Sequence, residues 1–314
     1  MSQPLKKIAI VGASGRIGGY IAKALVKNGK QTVTALTRAE SKGTLPEGIV
    51  PVKVDFSDGA SLESALKGQQ VLIITLGVTA PPDLHDRIVA AAATAGVPYI
   101  MPNNWGFDVT SPSYQTDMFG KQAWQNMQSI TATGVSAAIA LVCGRWYEWS
   151  LAIGEHAFGF DIKNKKVTFY DDGKYKINSS TWDLCGEAVA ALFSQPESIV
   201  AEFKNNVLRI SSFTVSQRDI LDSLHRVMGT TDADWSISFQ SSQERFQEGL
   251  AELQKGNQVG FVKAMYAKGF FPGGDGNFSD KGLQNERFHL PAEDLDTSTK
   301  RAVDMVQSGW NPWA

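Results

Sequence analysis

The sequence predicts an α/β protein: a doubly wound parallel sheet, with a smaller α+β portion in its second half. Three observations carry this. Short apolar strands alternate with amphipathic helical patterns through the first half. One strand, Val71–Thr75, is nearly all apolar, as a strand buried on both faces must be. The first strand runs into Gly12-x-x-Gly15-x-x-Gly18 and then into a helical pattern of Ile17, Ile21, Ala24 and Leu25. A strand, glycine-rich turn and helix in that order form the phosphate cradle of a Rossmann dinucleotide unit. Gly12 allows the tight turn, Gly15 lets the backbone approach a pyrophosphate, and Gly18 lets helix and strand pack closely. The free N–H groups and positive end of the helix then face the phosphates.

The elements follow in order. Strand one is Ile8–Val11, and the first helix is about Ile17–Lys27. Strand two is Thr32–Thr37. Strand three, Val50–Asp55, follows a Leu45-Pro46-Glu47-Gly48 turn. Ser61–Leu66 reads as a short helix capped by Ser61. After strand four at Val71–Thr75 comes a helix over Pro82–Ala95, ended by Gly96. Strand five is Val97–Met101, the next helix is Phe119–Thr131, and strand six is Val135–Leu141. Right-handed βαβ crossovers give the doubly wound order. Beyond it, Val167–Tyr170 and Lys174–Ile177 around Asp171-Asp172-Gly173 read as a hairpin. Thr181–Ser194, Thr214–Met228 and Ser242–Gln254 carry helical patterns, and Pro291–Val306 ends in a helix. Asn206–Ile210 reads as a strand and Phe271–Phe278 as a glycine-rich loop. We expect an NADP-binding domain over 1–150 with return segments from about 181–215, and a smaller substrate-binding portion over 151–314.

A chain of 314 residues with 43% apolar and 20% charged residues has room for a proper core. Net charge is −2 with no basic block, which speaks against nucleic acid or an anionic membrane as partner. Cys143 and Cys185 lie in apolar segments without CxxC spacing and read as buried free thiols in a reducing compartment. The start, MSQPLKK, runs straight into strand one, and no apolar run reaches the roughly 18 residues that span a bilayer. The expectation is a cytoplasmic monomer or homodimer. No His/Cys cluster with ligand spacing occurs, so no metal is expected.

The cofactor choice rests on the end of strand two. An acid there binds the ribose 2′-OH of NAD, whereas an arginine accommodates the 2′-phosphate of NADP. The strand ends Leu36-Thr37-Arg38, with Lys42 following and Arg16 inside the glycine turn, which favours NADP(H). Glu40 is the competitor: reaching back to the ribose, it would favour NAD. The expected cofactor contacts are Gly12, Ser14, Gly15, Arg16, Ile17, Gly18, Arg38, Asp55, Phe56, Leu76, Gly77, Asn103 and Lys121, because ligands sit at the carboxyl ends of strands in such sheets. Asp55 has an alternative as a turn cap.

For the chemistry, a Tyr-x-x-x-Lys dyad needs helical spacing to place both side chains on one face. Its single occurrence, Tyr170–Lys174, falls in the hairpin turn, so we set it aside. Lys121 is the better candidate. It starts the helix after strand five and follows the polar loop Met101–Asp108, where it could bind a ribose hydroxyl or give a proton. A surface lysine is the alternative. Tyr147 is a second proton donor to consider. Trp105, Phe107, Trp146, Tyr147 and Trp149 fall at loop or strand ends and could line an aromatic substrate cleft; core packing is the alternative.

These residues carry a resemblance. Val11–Gly18 (VGASGRIG), Leu36-Thr37-Arg38, Met101-Pro102-Asn103-Asn104-Trp105-Gly106 and Lys121 resemble the NmrA-like and isoflavone reductase-like branch of atypical short-chain dehydrogenases/reductases. The likeness covers roughly the first 150 residues and extends more weakly through Thr181-Trp182-Asp183. Arg145–Trp149 and the closing Gly309-Trp310-Asn311-Pro312-Trp313 look like fungal members. The resemblance implies NADPH, and a lysine at the Lys121 position acting as general acid/base. Asn104 departs from the acid that plant reductases carry before the aromatic of that loop. The resemblance implies an NADPH-dependent oxidoreductase of secondary metabolism, reducing a C=C, C=O or C=N bond of an aromatic or polycyclic small molecule. Two alternatives stay open: a non-catalytic NADP(H)-sensing regulator that binds a protein partner, as NmrA itself does, and a redox-neutral isomerase or cyclase on the same scaffold.

Overall fold

The structure is a computed structural model that describes residues 3–311. Its strands and helices follow the chain as β1 (Lys7–Val11), α1 (Arg16–Asn28), β2 (Thr32–Thr37), β3 (Val50–Lys53), α2 (Gly59–Leu66), β4 (Val71–Ile74), α3 (Leu84–Thr94), β5 (Tyr99–Met101), β6 (Trp105–Gly106), α4 (Pro112–Thr116), α5 (Lys121–Ala132) and β7 (Ala137–Val142). Then come β8 (Arg145–Trp146), α6 (Tyr147–Ala152), β9 (Phe160–Asp161), β10 (Lys166–Tyr170) and β11 (Ile177–Ser180), followed by α7 (Trp182–Phe193), α8 (Glu197–Val200) and β12 (Asn206–Arg209). Last are β13 (Phe213–Val215), α9 (Gln217–Met228), β14 (Ser236–Gln240), α10 (Ser242–Gln254), α11 (Val259–Gly269) and α12 (Leu295–Gln307).

The chain divides into two compact units. The first runs to Val142 and takes in Trp182–Ile210 and Gln284–Leu290. It holds the parallel sheet, in the order β12-β7-β5-β4-β1-β2-β3, with β6 beside β7. β1 pairs in parallel with β2 on one side and β4 on the other, so the strand order reverses between β1 and β4. Residues Val71, Leu72, Ile73 and Ile74 of β4 are fully buried, as their unbroken apolar run requires. The doubly wound expectation holds.

Among the described residues, the second unit holds Cys143–Thr181, Ser211–Leu283 and 291–311. It contains two three-stranded sheets, β14-β10-β9 and β13-β11-β8. Its core gathers Tyr147, Phe158, Phe160, Tyr170, Tyr266 and Phe270.

Three expectations need correction. Val167–Tyr170 and Lys174–Ile177 do not form a hairpin: β10 has both edges taken by β9 and β14, and Ile177 pairs with Val215 of β13 in the other sheet. Ser61 does not cap α2. Asp58 does, accepting the Ala60 N–H at 2.9 Å, while Ser61 Oγ accepts the Asp55 N–H at 3.0 Å. The segment at Thr214 opens as strand β13, and its helix begins only at Gln217 behind the Ser216 cap. Pro312 and Trp313 of the closing motif lie outside the described residues.

Candidate functional site

A crevice opens where the strand order reverses, at the carboxyl ends of β1, β2 and β4. Its cavity of about 530 Å³ is lined by Gly12, Ser14, Arg38, Ser41, Thr75 and Gly77, among others. The turn that forms its floor is set by contact. Gly12 has φ +84°, and a Cβ on it would stand 2.1 Å from Thr75 O. A Cβ on Gly18 would stand 2.2 Å from Gly12 O. Only glycine admits both approaches. Gly15 donates its N–H to Gly12 O at 2.8 Å, which closes the turn ahead of α1. Ile17 is buried under this turn, while Ser14 and Gly15 are exposed.

The charged residues divide. Arg38 is exposed and lines the crevice. It also lines an adjoining cavity of about 490 Å³ with Glu40, Lys53, Asp55, Phe56 and Ser57. Lys53 Nζ donates to Arg38 O at 3.2 Å. Arg16 turns elsewhere. Its guanidinium sits over the Trp182 ring at 5.6 Å, and partial burial lowers its pKa. Asp55 has the geometry of its alternative: Oδ1 accepts the Ser57 N–H at 2.8 Å and the Ser57 hydroxyl at 2.6 Å, which holds the carboxyl below its ordinary pKa. Phe56 and Leu76 line the crevice beside Gly77. Asn103 reaches the same strand end, accepting the Leu76 N–H at 3.0 Å and donating to Leu76 O at 3.2 Å.

Lys121 opens α5 behind a turn held by Asp117, whose Oδ1 accepts the Phe119 and Gly120 N–H groups at 2.9 and 2.8 Å. The side chain is exposed, and its ammonium has no hydrogen bond or ion pair among the described residues. Trp105 donates its indole N–H to Ile74 O at 3.0 Å, which fixes the ring against the end of β4. Phe107 stacks on Tyr114 at 4.7 Å. Asn104 is buried and donates to Phe107 O and Leu141 O. Its amide meets two carbonyls, which a carboxylate could not do.

The second unit treats its aromatic residues differently. Tyr147 is fully buried in the core, with its hydroxyl 2.7 Å from Thr299 Oγ1 and an edge contact to Phe213. Burial raises its pKa far above the ordinary tyrosine value. A hydroxyl so enclosed reaches no substrate, so the expectation of Tyr147 as proton donor or pocket residue is replaced by a core role. Trp146 and Trp149 are half-buried and meet edge-on at 6.5 Å. Glu148 is buried, with Oε1 accepting from Arg301 Nη1 at 2.7 Å, and burial pushes its carboxyl up to about 7.

Sequence reasoning missed two residues. Thr75 donates its hydroxyl to Val11 O at 2.7 Å and fills the space that Gly12 and Gly18 leave. Its signal was a lone hydroxyl ending an otherwise apolar strand. Arg87 donates to Phe56 O at 2.6 Å and pairs with Asp83, which holds the backbone at Phe56 in the crevice wall; its signal was the i,i+4 spacing from Asp83.

Residues 12–132 match a family model described as NAD(P)H-binding. Over 296 residues the chain is 27% identical to the oxidoreductase aprR of Aspergillus flavus, covering 92% of this chain and 96% of that protein. Among solved structures, one of isoflavone reductase superposes with a TM-score of 0.76 at 20% identity, over 95% of this chain and 99% of that one. AtPrR2 with NADP+ and (+)pinoresinol gives 0.75 at 19% identity, over 96% and 99%. These findings bear out the resemblance, the Rossmann fold and the NAD(P)H-binding domain.

Proposed function

We propose that the protein is an NADPH-dependent reductase that delivers hydride to a C=C, C=O or C=N bond of an aromatic or polycyclic small molecule. The observation that carries this reading is Arg38. It stands exposed at the carboxyl end of β2, lining the same crevice as the glycine turn, where an NAD-binding protein would place an acid. A guanidinium there matches a 2′-phosphate in charge and geometry. A dinucleotide bound there would supply the hydride.

This chain's residues do the rest. The N–H groups at the start of α1 would hold the pyrophosphate, and Gly77 would let the chain approach the cofactor closely. Lys121 gives or relays one proton, so that the substrate gains a hydride and a proton together. Trp105 and Phe107 support a flat substrate, in keeping with the pinoresinol carried by one structural neighbour. Such a substrate fits secondary metabolism. The two buried free cysteines fit a reducing compartment such as the cytoplasm.

The test is NADPH consumption across a panel of aromatic enones, quinones, ketones and imines, with wild type and Lys121→Ala. We expect turnover by wild type. We expect Lys121→Ala to lose about 100-fold in kcat/KM, typical of general acid catalysis, with NADPH affinity kept within about twofold. An unimpaired Lys121→Ala removes the lysine from the chemistry. NADPH binding without consumption across the panel replaces the reductase by a sensor.

A further inference from the structure

Three consecutive residues at the carboxyl end of β4 are each pinned by a side chain. Ile74 O accepts the indole N–H of Trp105 at 3.0 Å. Thr75 donates its own hydroxyl to Val11 O at 2.7 Å and fills the space that the glycine turn leaves open. Leu76 is pinned twice, its N–H donating to Asn103 Oδ1 at 3.0 Å and its carbonyl accepting from Asn103 Nδ2 at 3.2 Å. Leu76 lies two residues beyond Ile74, where β4 ends, and Asn103 two residues beyond Met101, where β5 ends. The strand ladder that pairs Ile73 with Met101 has stopped there. The asparagine amide presents one acceptor and one donor side by side, as a backbone peptide group does. It therefore continues the β4–β5 pairing beyond the last strand residue.

We propose that Asn103 is a positioning residue for the cofactor: its amide, paired with both backbone atoms of Leu76, holds the Leu76–Gly77 segment in the shape that lines the dinucleotide crevice. Asn103 acts through Leu76, since both of its polar atoms are engaged there. The assignment of its oxygen and nitrogen is fixed by the pair, because an N–H needs the acceptor and a carbonyl needs the donor. No ionised carboxylate or aliphatic side chain can meet both. This inference rests on dinucleotide binding and not on turnover or on any substrate.

The experiment measures NADP+ binding by calorimetry at pH 8 and pH 4 for wild type, Asn103→Ala and Asn103→Asp, each affinity taken relative to wild type at the same pH. Asn103→Ala is expected to weaken binding about tenfold at both values, the size of one lost hydrogen-bonded pair. At pH 8 Asn103→Asp sets a carboxylate oxygen against Leu76 O and weakens binding at least as much. At pH 4, about the ordinary pKa of an aspartate, half or more of the carboxyls are protonated and again offer one donor and one acceptor, and Asn103→Asp is expected to recover to within about threefold of wild type. This recovery is what a merely structural role would not produce. Because the acid form is isosteric with asparagine, that comparison stands even where Asn103→Ala does not fold. Wild-type affinity in both variants at both pH values overturns the proposal, as does an Asn103→Asp that is equally weak at both. If wild type binds NAD+ and not NADP+, the 2′-phosphate reading alone falls, and the same ratios are measured with NAD+.

Discussion

At Arg38 the argument is one of charge. The guanidinium is exposed and lines both the crevice and the cavity beside it, so its attraction to a 2′-phosphate is a charge-assisted contact in partly screened surroundings. Arg38→Ala should therefore weaken NADPH binding about 30-fold, by calorimetry or cofactor fluorescence, and leave NADH binding within about twofold. Equal losses for both cofactors would remove Arg38 from selectivity. Glu148 makes a second prediction at this scale. Burial holds its carboxyl pKa near 7, above the unfolded value of 4.5. Between those values the folded chain keeps a proton that the unfolded chain has lost, so this residue's contribution to stability falls as pH rises from about 4.5 to about 7. Glu148→Gln cannot titrate. Its Tm relative to wild type should climb across that window by several degrees, roughly 2–4 °C per kcal/mol for a protein of this size, and level off above it. A constant difference from pH 5 to pH 8 would show that the group titrates normally.

Among the elements, α1 and α7 form a close pair. Gly186 of α7 faces α1, where a Cβ would stand 2.6 Å from Tyr20 O and 3.2 Å from Ala24 Cβ. Tyr20 stacks on Trp182 at 5.6 Å, and Arg16 lies over the same indole. The start of the phosphate-binding helix is thus braced by a helix that arrives from much later in the chain. Gly186→Ala should cost about 2 kcal/mol by overpacking, read as a lower Tm or denaturation midpoint. It should also weaken NADPH binding, because α1 must shift to admit the methyl group. Retained stability and affinity would show that the two helices separate without effect on the turn.

Across the whole molecule, both units are assembled from pieces that are distant in sequence. β12 completes the first sheet by pairing with β7 from Asn206↔Ile139 to Arg209↔Val142, and α7 covers α1. A fragment of residues 1–150 holds the glycine turn, Arg38 and Lys121 but lacks these two elements. It should be poorly folded, with dispersed amide signals missing from its NMR spectrum and no measurable NADPH binding, whereas the full chain shows both. A well-dispersed, cofactor-binding fragment would show that the return segments are dispensable. Among the described residues no helix is long and apolar enough to cross a membrane, and no group of three or more metal-ligating side chains occurs.

The first half of this fold was legible because local pattern and global fold agree there. Apolar strands, helical spacing and the three glycines each report a local backbone requirement, and β2 matches its expected bounds at both ends. The positions of Arg38 and Lys121 follow from strand ends that the sequence marks. The second half was less legible because its strands choose partners by tertiary competition. β10 is flanked by β9 and β14, so the turn at Asp171–Gly173 leads out of one sheet and into another. The surroundings of Tyr147, Arg16 and Asn103 were likewise decided by packing: an aromatic at a loop end became core, a cation in the turn went to an indole, and an asparagine amide paired with Leu76. The sequence by itself determined the glycine turn, the parallel sheet and the basic residue at the end of β2, because each depends on neighbours a few residues apart. Tertiary structure alone decided which polar side chains stay open to a ligand, because that depends on which distant backbone groups claim them first.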